Sequence, residues 1–203
     1  MVRIAKPAGK SETCRILALA LLAAEPSSAH TGAGTAFGFQ SGFIHPLGGL
    51  DHLLAMFAVG LLAAQLGGRA IRLVPGAFVS MMAAGSLVGF AGIGIPGVEF
   101  GIVISIVAIA LPVAFALGMP AALAMAYVGF FAILHGYAHG AELPAGADAV
   151  PYIAGFALAT ILIQGAGVGV GLACRRFTAR PRGYALRIAG GVVAIAGIGI
   201  AVA

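Results

Sequence analysis

The strongest constraint on the fold of this chain is a series of six long apolar segments. They lie at about 43–66, 73–92, 99–117, 120–139, 151–174 and 185–203, with short connections between them. About 20 apolar residues in a helix cross the hydrocarbon core of a bilayer. No segment alternates in polarity as barrel strands do, and backbone groups in lipid must be hydrogen-bonded internally. The sequence therefore predicts an all-α integral membrane protein, with six transmembrane helices in a single domain over residues 30–203.

The first 29 residues have the pattern of a signal peptide. Four basic residues precede an apolar run from Ile16 to Ala24, and Ser27-Ser28-Ala29 is a small-residue cleavage site. The apolar run is about nine residues long, which is less than half of the length needed to span a membrane. We expect the mature chain to start at His30, and an uncleaved anchor is the alternative.

The arginines predict how the chain is oriented. Beyond residue 29 every basic residue is an arginine, and all seven lie around two of the connections. The connection between the first and second segments carries Arg69 and Arg72. In or next to the connection between the fifth and sixth segments lie Arg175, Arg176, Arg180, Arg182 and Arg187. By the positive-inside rule both connections are cytoplasmic, so both termini of the mature chain are outside. We expect a multi-pass protein of a bacterial inner membrane, whose basic residues serve topology and bind no nucleic acid.

The first segment carries ionisable side chains in an apolar setting, at His45-Pro-Leu-Gly-Gly-Leu-Asp51-His52-Leu-Leu-Ala-Met56. On one ideal helix, positions 52 and 56 point within roughly 20° of position 45, and position 51 points elsewhere. Asp51 could join them if Gly48-Gly49 distorts the helix, and otherwise it would orient an imidazole. Ionisable residues at membrane depth are expensive, so this stretch is a candidate functional site.

The fourth segment supplies a matching set, because its spacings of four and three put His135, His139 and Glu142 on one face. This segment runs outward, so its end lies at the external level where the first segment begins. Glu99 opens the third segment at that level, and His30 would be the mature N-terminus. Imidazole and carboxylate together suit divalent transition metals. The predicted metal site comprises His30, His45, Asp51, His52, Met56, Glu99, His135, His139 and Glu142.

Each of these residues also has a simpler interpretation. A single buried histidine is usually a hydrogen-bonded core residue, and a methionine at helical spacing usually packs. Glu99, Glu142 and Asp148 could be solvated charges at the rim, and we prefer that interpretation for Asp148. The simpler interpretations do not explain why every histidine beyond residue 29 falls on one side of the membrane.

Two motifs resemble those of the HupE/UreJ proteins, which are secondary nickel permeases associated with hydrogenase and urease maturation. They are His-Pro-x-x-Gly-x-Asp-His-x-x-x-Met at 45–56 and His-x-x-Ala-His-Gly-x-Glu at 135–142, where Leu134 replaces a frequent Phe. The larger nickel/cobalt transporter family has four residues between the His and the Asp-His pair, and this chain has five. The resemblance covers essentially the whole mature chain. It implies uptake of Ni²⁺, or of Co²⁺, by the matching residues, with hand-over to maturation proteins and without a prosthetic group.

The expected mechanism is facilitated diffusion, because the sequence contains no nucleotide-binding motif. Polar residues that could line the inner half are Ser80, Ser86, Ser105, Thr160 and Gln164, in no predicted order. An intramembrane zinc hydrolase with the same ligands is the alternative function, although the chain has no Gly-x-Ser-Gly motif. A haem-binding bundle is a third possibility, and the aligned carboxylates argue against it. The oligomeric state is not predicted.

Overall fold

The computed structural model describes residues 38–143, 148–178 and 183–202, and within them it contains helices and no strand. The helices are α1 (Phe39–Gly48), α2 (Leu50–Leu66), α3 (Ala70–Phe90), α4 (Val98–Ala114), α5 (Ala121–Ala141), α6 (Ala149–Thr178) and α7 (Tyr184–Val202). The all-α prediction is confirmed for this part of the chain. The predicted signal peptide and His30 lie outside the described residues.

Four of the helices, α3, α5, α6 and α7, are long and apolar enough to cross a membrane. A fifth span is formed if α1 and α2, which meet at 87°, count together. Helix α4 is also apolar but has 17 residues, a length of about 25 Å against a hydrocarbon core of about 30 Å. The architecture is that of a multi-pass membrane protein with four or five spans by length and composition, and the number six stays a prediction.

The expectation of one continuous first helix over 43–66 is wrong. The helix breaks at Gly49, whose backbone is extended with φ −106° and ψ 119°. Two neighbouring glycines are weak helix formers, and Pro46 provides no backbone donor to the turn before them. His45 therefore lies on α1, whereas His52 and Met56 lie on α2, and the single helical stripe predicted for these three residues does not exist.

The two ends of the bundle differ in chemistry. At one end, which we call the arginine end, Arg175 Nη1 donates a hydrogen bond to Ala64 O at 2.8 Å, and Arg187 Nε donates to Ala114 O at 3.2 Å. The C-terminal ends of α2, α4 and α6 and the start of α7 meet there. The opposite end, the histidine end, holds α1, the start of α2 and the end of α5.

Glycines set the closest helix contacts. Gly85 and Gly89 of α3 face the backbone of α5 at Ile133 and Tyr137, so an added Cβ would clash with a carbonyl oxygen. Helix α5 answers with Gly136 and Gly140, which face the backbone of α3 in the same way. This small-xxx-small packing brings two helices together without side chains between them. Because it fixes the rotation of α5 about its axis, it also fixes the directions of the neighbouring His135 and His139.

Candidate functional site

Four histidines from three helices gather at the histidine end. The ring centroids of His45 and His139 are 4.7 Å apart, and those of His139 and His52 are 4.6 Å apart. The rings of His52 and His135 follow at 5.1 Å. His135 and His139 are fully buried, and His52 is 6% exposed. We call these four residues the histidine cluster; the rings form a chain that leads from the half-buried His45 into the bundle.

The break at Gly49 is what allows α1 and α2 each to contribute a ring. The rings of His45 and His52 lie 6.2 Å apart and edge to face. Because α1 leaves α2 at 87°, His45 approaches His52 from a separate helix, and both rings reach His139. The distortion therefore assembles the cluster, by a geometry different from the predicted stripe.

Asp51 holds the ring of His52. Its Oδ1 accepts hydrogen bonds from the backbone N–H of His52 and from His52 Nδ1, each at 2.9 Å. A carboxylate only accepts, so Nδ1 carries a proton, and when the ring is neutral Nε2 keeps the lone pair. That Nε2 is buried and has no hydrogen-bond partner among the described residues. Of the two roles considered for Asp51, the geometry fits the one in which it orients an imidazole.

Ser105 holds His135 by the same logic. The hydroxyl donates its single proton to Ile102 O at 2.6 Å, and its oxygen lies 2.8 Å from His135 Nε2. His135 Nε2 must therefore be the donor to Ser105, and the lone pair of the neutral ring is on Nδ1. Within the part of the chain that the structure describes, His135 Nδ1 and both ring nitrogens of His139 are buried without a hydrogen-bond partner. An unpaired buried acceptor costs about 1–3 kcal/mol, so this set of nitrogens calls for a ligand.

The acidic residues lie towards the rim. Glu142 Oε2 is 3.4 Å from His45 Nε2, and both side chains are partly exposed. Glu142 and Glu99 line one cavity of about 300 Å³ between the start of α4 and the end of α5. The structure thus brings Glu99 to the same end of the bundle as the histidines, in a cavity that it shares with Glu142.

Met56 belongs to the apolar core, where it is fully buried. Among the described residues its sulfur makes no hydrogen bond. The packing interpretation fits this environment, and His30, the remaining predicted ligand, lies outside the described residues.

The cluster is not a finished metal site. Within the described part of the chain, no group of three or more His, Cys, Asp or Glu side chains has the geometry that holds a metal ion. The imidazoles contact one another instead, for example edge to face at 78° between His45 and His139. A cation bound here would require the rings to rotate so that their lone pairs face one point.

Sequence reasoning missed the side chains that support the rings. Phe156 stacks on His139 with centroids 5.0 Å apart, and Phe78 lies 5.8 Å from the ring of His135. Tyr152, one turn before Phe156, contacts His45 at 6.2 Å. The sequence indicates Ser105 only as one of the five polar residues that could line the inner half of the path. A serine inside an otherwise apolar helix was a detectable signal, but its partner could not be identified without the packing of α4 against α5.

Comparisons with known proteins agree over almost the whole chain. The family model described as "HupE / UreJ protein" matches residues 17–200. "Protein HupE" of Rhizobium leguminosarum bv. viciae is 44% identical over 191 residues, which cover 94% of this chain and 96% of the relative. No solved structure matches the chain.

Proposed function

We propose that this chain, which belongs to the HupE/UreJ family, carries a divalent transition-metal ion across the membrane by facilitated diffusion. Ni²⁺ is the first candidate and Co²⁺ the second, as the family resemblance implies. The observation that carries the proposal is the set of buried imidazole nitrogens on His52, His135 and His139 that have no partner among the described residues. Neutral imidazole is a preferred ligand of nickel, cobalt, copper and zinc, so the ligand types alone do not select the metal.

The proposed path begins at the cavity between the start of α4 and the end of α5. Glu99 and Glu142 attract the hydrated cation to the cavity that they line. His45, which is 19% exposed, is the first imidazole to meet it. The cation then passes along His139, His52 and His135, whose rings follow one another at about 5 Å. Conduction requires several sites that each bind the ion weakly enough to release it. A cluster of rings that must rotate to bind meets this requirement better than a closed cage.

Asp51 and Ser105 act on the metal through the histidines. Each takes the proton-bearing nitrogen of one ring, and so turns the other nitrogen into a ligand. Met56 packs against the core and is not needed as a ligand in this proposal. Asp51 is engaged with His52 and Glu142 with His45, so neither has the position of a free general base, and the hydrolase alternative gains no support.

The membrane potential can supply the driving force. A divalent cation moving inward gains about 4.6 kcal/mol for each 100 mV of potential. Because about 1.4 kcal/mol is a factor of ten, this corresponds to a concentration ratio of more than a thousand. Accumulation therefore needs no pump if the histidine end is outside and the arginine end is cytoplasmic. Delivery to hydrogenase or urease maturation proteins would follow on the cytoplasmic side.

Uptake of radioactive Ni²⁺ by cells that express the chain tests the proposal. We expect His52→Ala and His139→Ala to lower uptake by at least about tenfold, as the loss of a metal ligand does. Met56→Leu keeps the core volume and removes only the thioether, so it is the matched control and should leave uptake unchanged. Absence of uptake by the unaltered chain would refute the transport function. Undiminished uptake in both histidine variants, at equal protein levels, would refute the site.

A further inference from the structure

Gln164 is a buried polar residue without any partner in the interior of the bundle. Its side chain is 1% exposed, and neither Oε1 nor Nε2 has a hydrogen-bond partner among the described residues. A buried primary amide has capacity for several hydrogen bonds, and most buried polar groups find at least one. Among the described residues, the amide oxygen and the amide nitrogen of this side chain are thus both free to bind a ligand.

The position of Gln164 connects it to the histidine cluster. Phe156, Thr160 and Gln164 follow at spacings of four on α6, so they share one face of that helix. Phe156 stacks on His139 where this face lies closest to the histidine end. Thr160 is fully buried, and its hydroxyl approaches Met82 Sδ at 3.8 Å. Gln164 lies about 12 Å from Phe156 along the helix axis, towards the arginine end.

The other buried glutamine of the described residues, Gln65, has a structural role through its amide nitrogen, while its Oε1 also lacks a partner among those residues. Its Nε2 donates to Pro112 O at 3.0 Å and to Leu117 O at 2.8 Å, where it holds the end of α4 against α2. The Gln164 side chain makes no comparable hydrogen bond to any described residue. The backbone beside it is nevertheless fixed, because Gly60 of α2 packs directly on the Gln164 carbonyl. The backbone of Gln164 is thus held by a close helix contact, while its side chain makes no hydrogen bond to the described residues.

We propose that Gln164 is an inner binding station for the cation after it leaves the histidine cluster. This rests on the transport function proposed above. The amide oxygen binds the cation directly or accepts hydrogen bonds from its bound waters. A neutral oxygen holds a divalent transition metal more weakly than imidazole does, so a station of this kind promotes release towards the arginine end.

Gln164→Met tests the station, since it removes both polar atoms and nearly conserves volume. In proteoliposomes with an imposed potential, we expect the maximal Ni²⁺ flux to fall by at least about tenfold, the effect of losing a hydrogen bond to a charged group. The KM for flux and the Ni²⁺ affinity of the purified protein should stay within about twofold, because the histidine cluster is intact. Thermal stability should be equal or higher, because two unpaired groups are gone.

Ser86→Ala is the matched control. Ser86 is also buried, but its hydroxyl already donates to Ala83 O of its own helix, so flux should be unchanged. Gln164→Glu provides a second test that keeps size and oxygen atoms and adds a charge; the cation should be held longer, with lower KM and lower maximal flux.

Wild-type flux in both Gln164 variants would overturn the inner station while leaving the proposed transport function standing. Loss of Ni²⁺ affinity in Gln164→Met would also overturn it, because the residue would then act on the histidine cluster. An unaltered protein without flux would instead refute the transport function itself.

Discussion

Two different residues, Asp51 and Ser105, contact the rings of His52 and His135 in the same way. Asp51 accepts from one ring and Ser105 from the other, and in each case the remaining nitrogen is buried without a partner among the described residues. Fixing the proton on one nitrogen of a neutral imidazole decides which nitrogen can bind a metal. His139 lies between the other rings, and neither of its ring nitrogens has a hydrogen-bond partner in the described part of the chain, so the proposed path can use either one.

The role of Ser105 can be tested by Ser105→Ala. The substitution removes the acceptor for His135 Nε2–H, so the proton is no longer confined to that nitrogen. We expect the Ni²⁺ affinity of the purified protein to fall by about tenfold or more, as is typical when a partner of a metal-binding histidine is lost. Isothermal titration calorimetry on the detergent-solubilised protein would measure it.

The same control, Ser86→Ala, separates this effect from the general loss of a buried hydroxyl. Both serines donate to a carbonyl three residues earlier in their own helix, and only Ser105 also contacts an imidazole. Equal affinities in the two variants would contradict the assignment of the His135 tautomer.

At the scale of the element, the bend between α1 and α2 decides what the first motif can do. The sequence predicts the residues of the motif and a possible distortion of the helix at Gly48-Gly49. It does not predict the 87° angle between the two helices. The period of an ideal helix predicted a stripe that includes Met56, whereas the bend replaces that stripe by rings from separate helices. Helical periodicity does not apply across a residue in extended conformation.

The close approach of Gly49 to the Asp51–His52 pair makes it the position to change. A Cβ at residue 49 would lie 2.6 Å from Asp51 Oδ1 and 3.0 Å from His52 Nδ1. The backbone angles of Gly49 are accessible to alanine, so Gly49→Ala should fold and displace only the pair. We expect a loss of Ni²⁺ affinity of about tenfold or more at nearly unchanged thermal stability.

Gly48→Ala is the control on the adjacent residue, because a Cβ there meets nothing within 4 Å. It should leave affinity and uptake as they are. If both substitutions weakened Ni²⁺ binding equally, flexibility of the bend rather than the space beside Asp51 would be the cause.

Helix α5 illustrates which part of the site was predictable. The spacing of four correctly placed His135 and His139 on one face, and both are fully buried against other rings. The sequence did not reveal that Gly136 and Gly140, one residue further on, pack on the backbone of α3. Local periodicity is written in one segment, but which faces of two helices meet depends on the whole bundle.

At the scale of the molecule, the distribution of arginines anticipated the two chemically distinct ends. Arg175 and Arg187 lie at one end, where α6 ends and α7 begins, and Glu99 and Glu142 share a cavity at the other. The signal peptide and the number of membrane crossings stay predictions. Charge placement along the chain can predict sidedness because each crossing reverses direction, whereas the depth of a short helix such as α4 depends on its neighbours.

The proposed direction of transport rests on this polarity and can be tested with single cysteines. In a background with Cys14→Ser and Cys174→Ser, we would introduce Gly94→Cys at the histidine end and Arg176→Cys at the arginine end. Both positions are exposed, and a side chain at residue 94 meets nothing within 4 Å. Because arginine-rich connections stay cytoplasmic, a membrane-impermeant maleimide should label Gly94→Cys in intact spheroplasts. It should label Arg176→Cys only in inverted vesicles. The reverse pattern would place the histidine cluster on the cytoplasmic side, and the membrane potential would then oppose movement of the cation from the cluster towards Gln164.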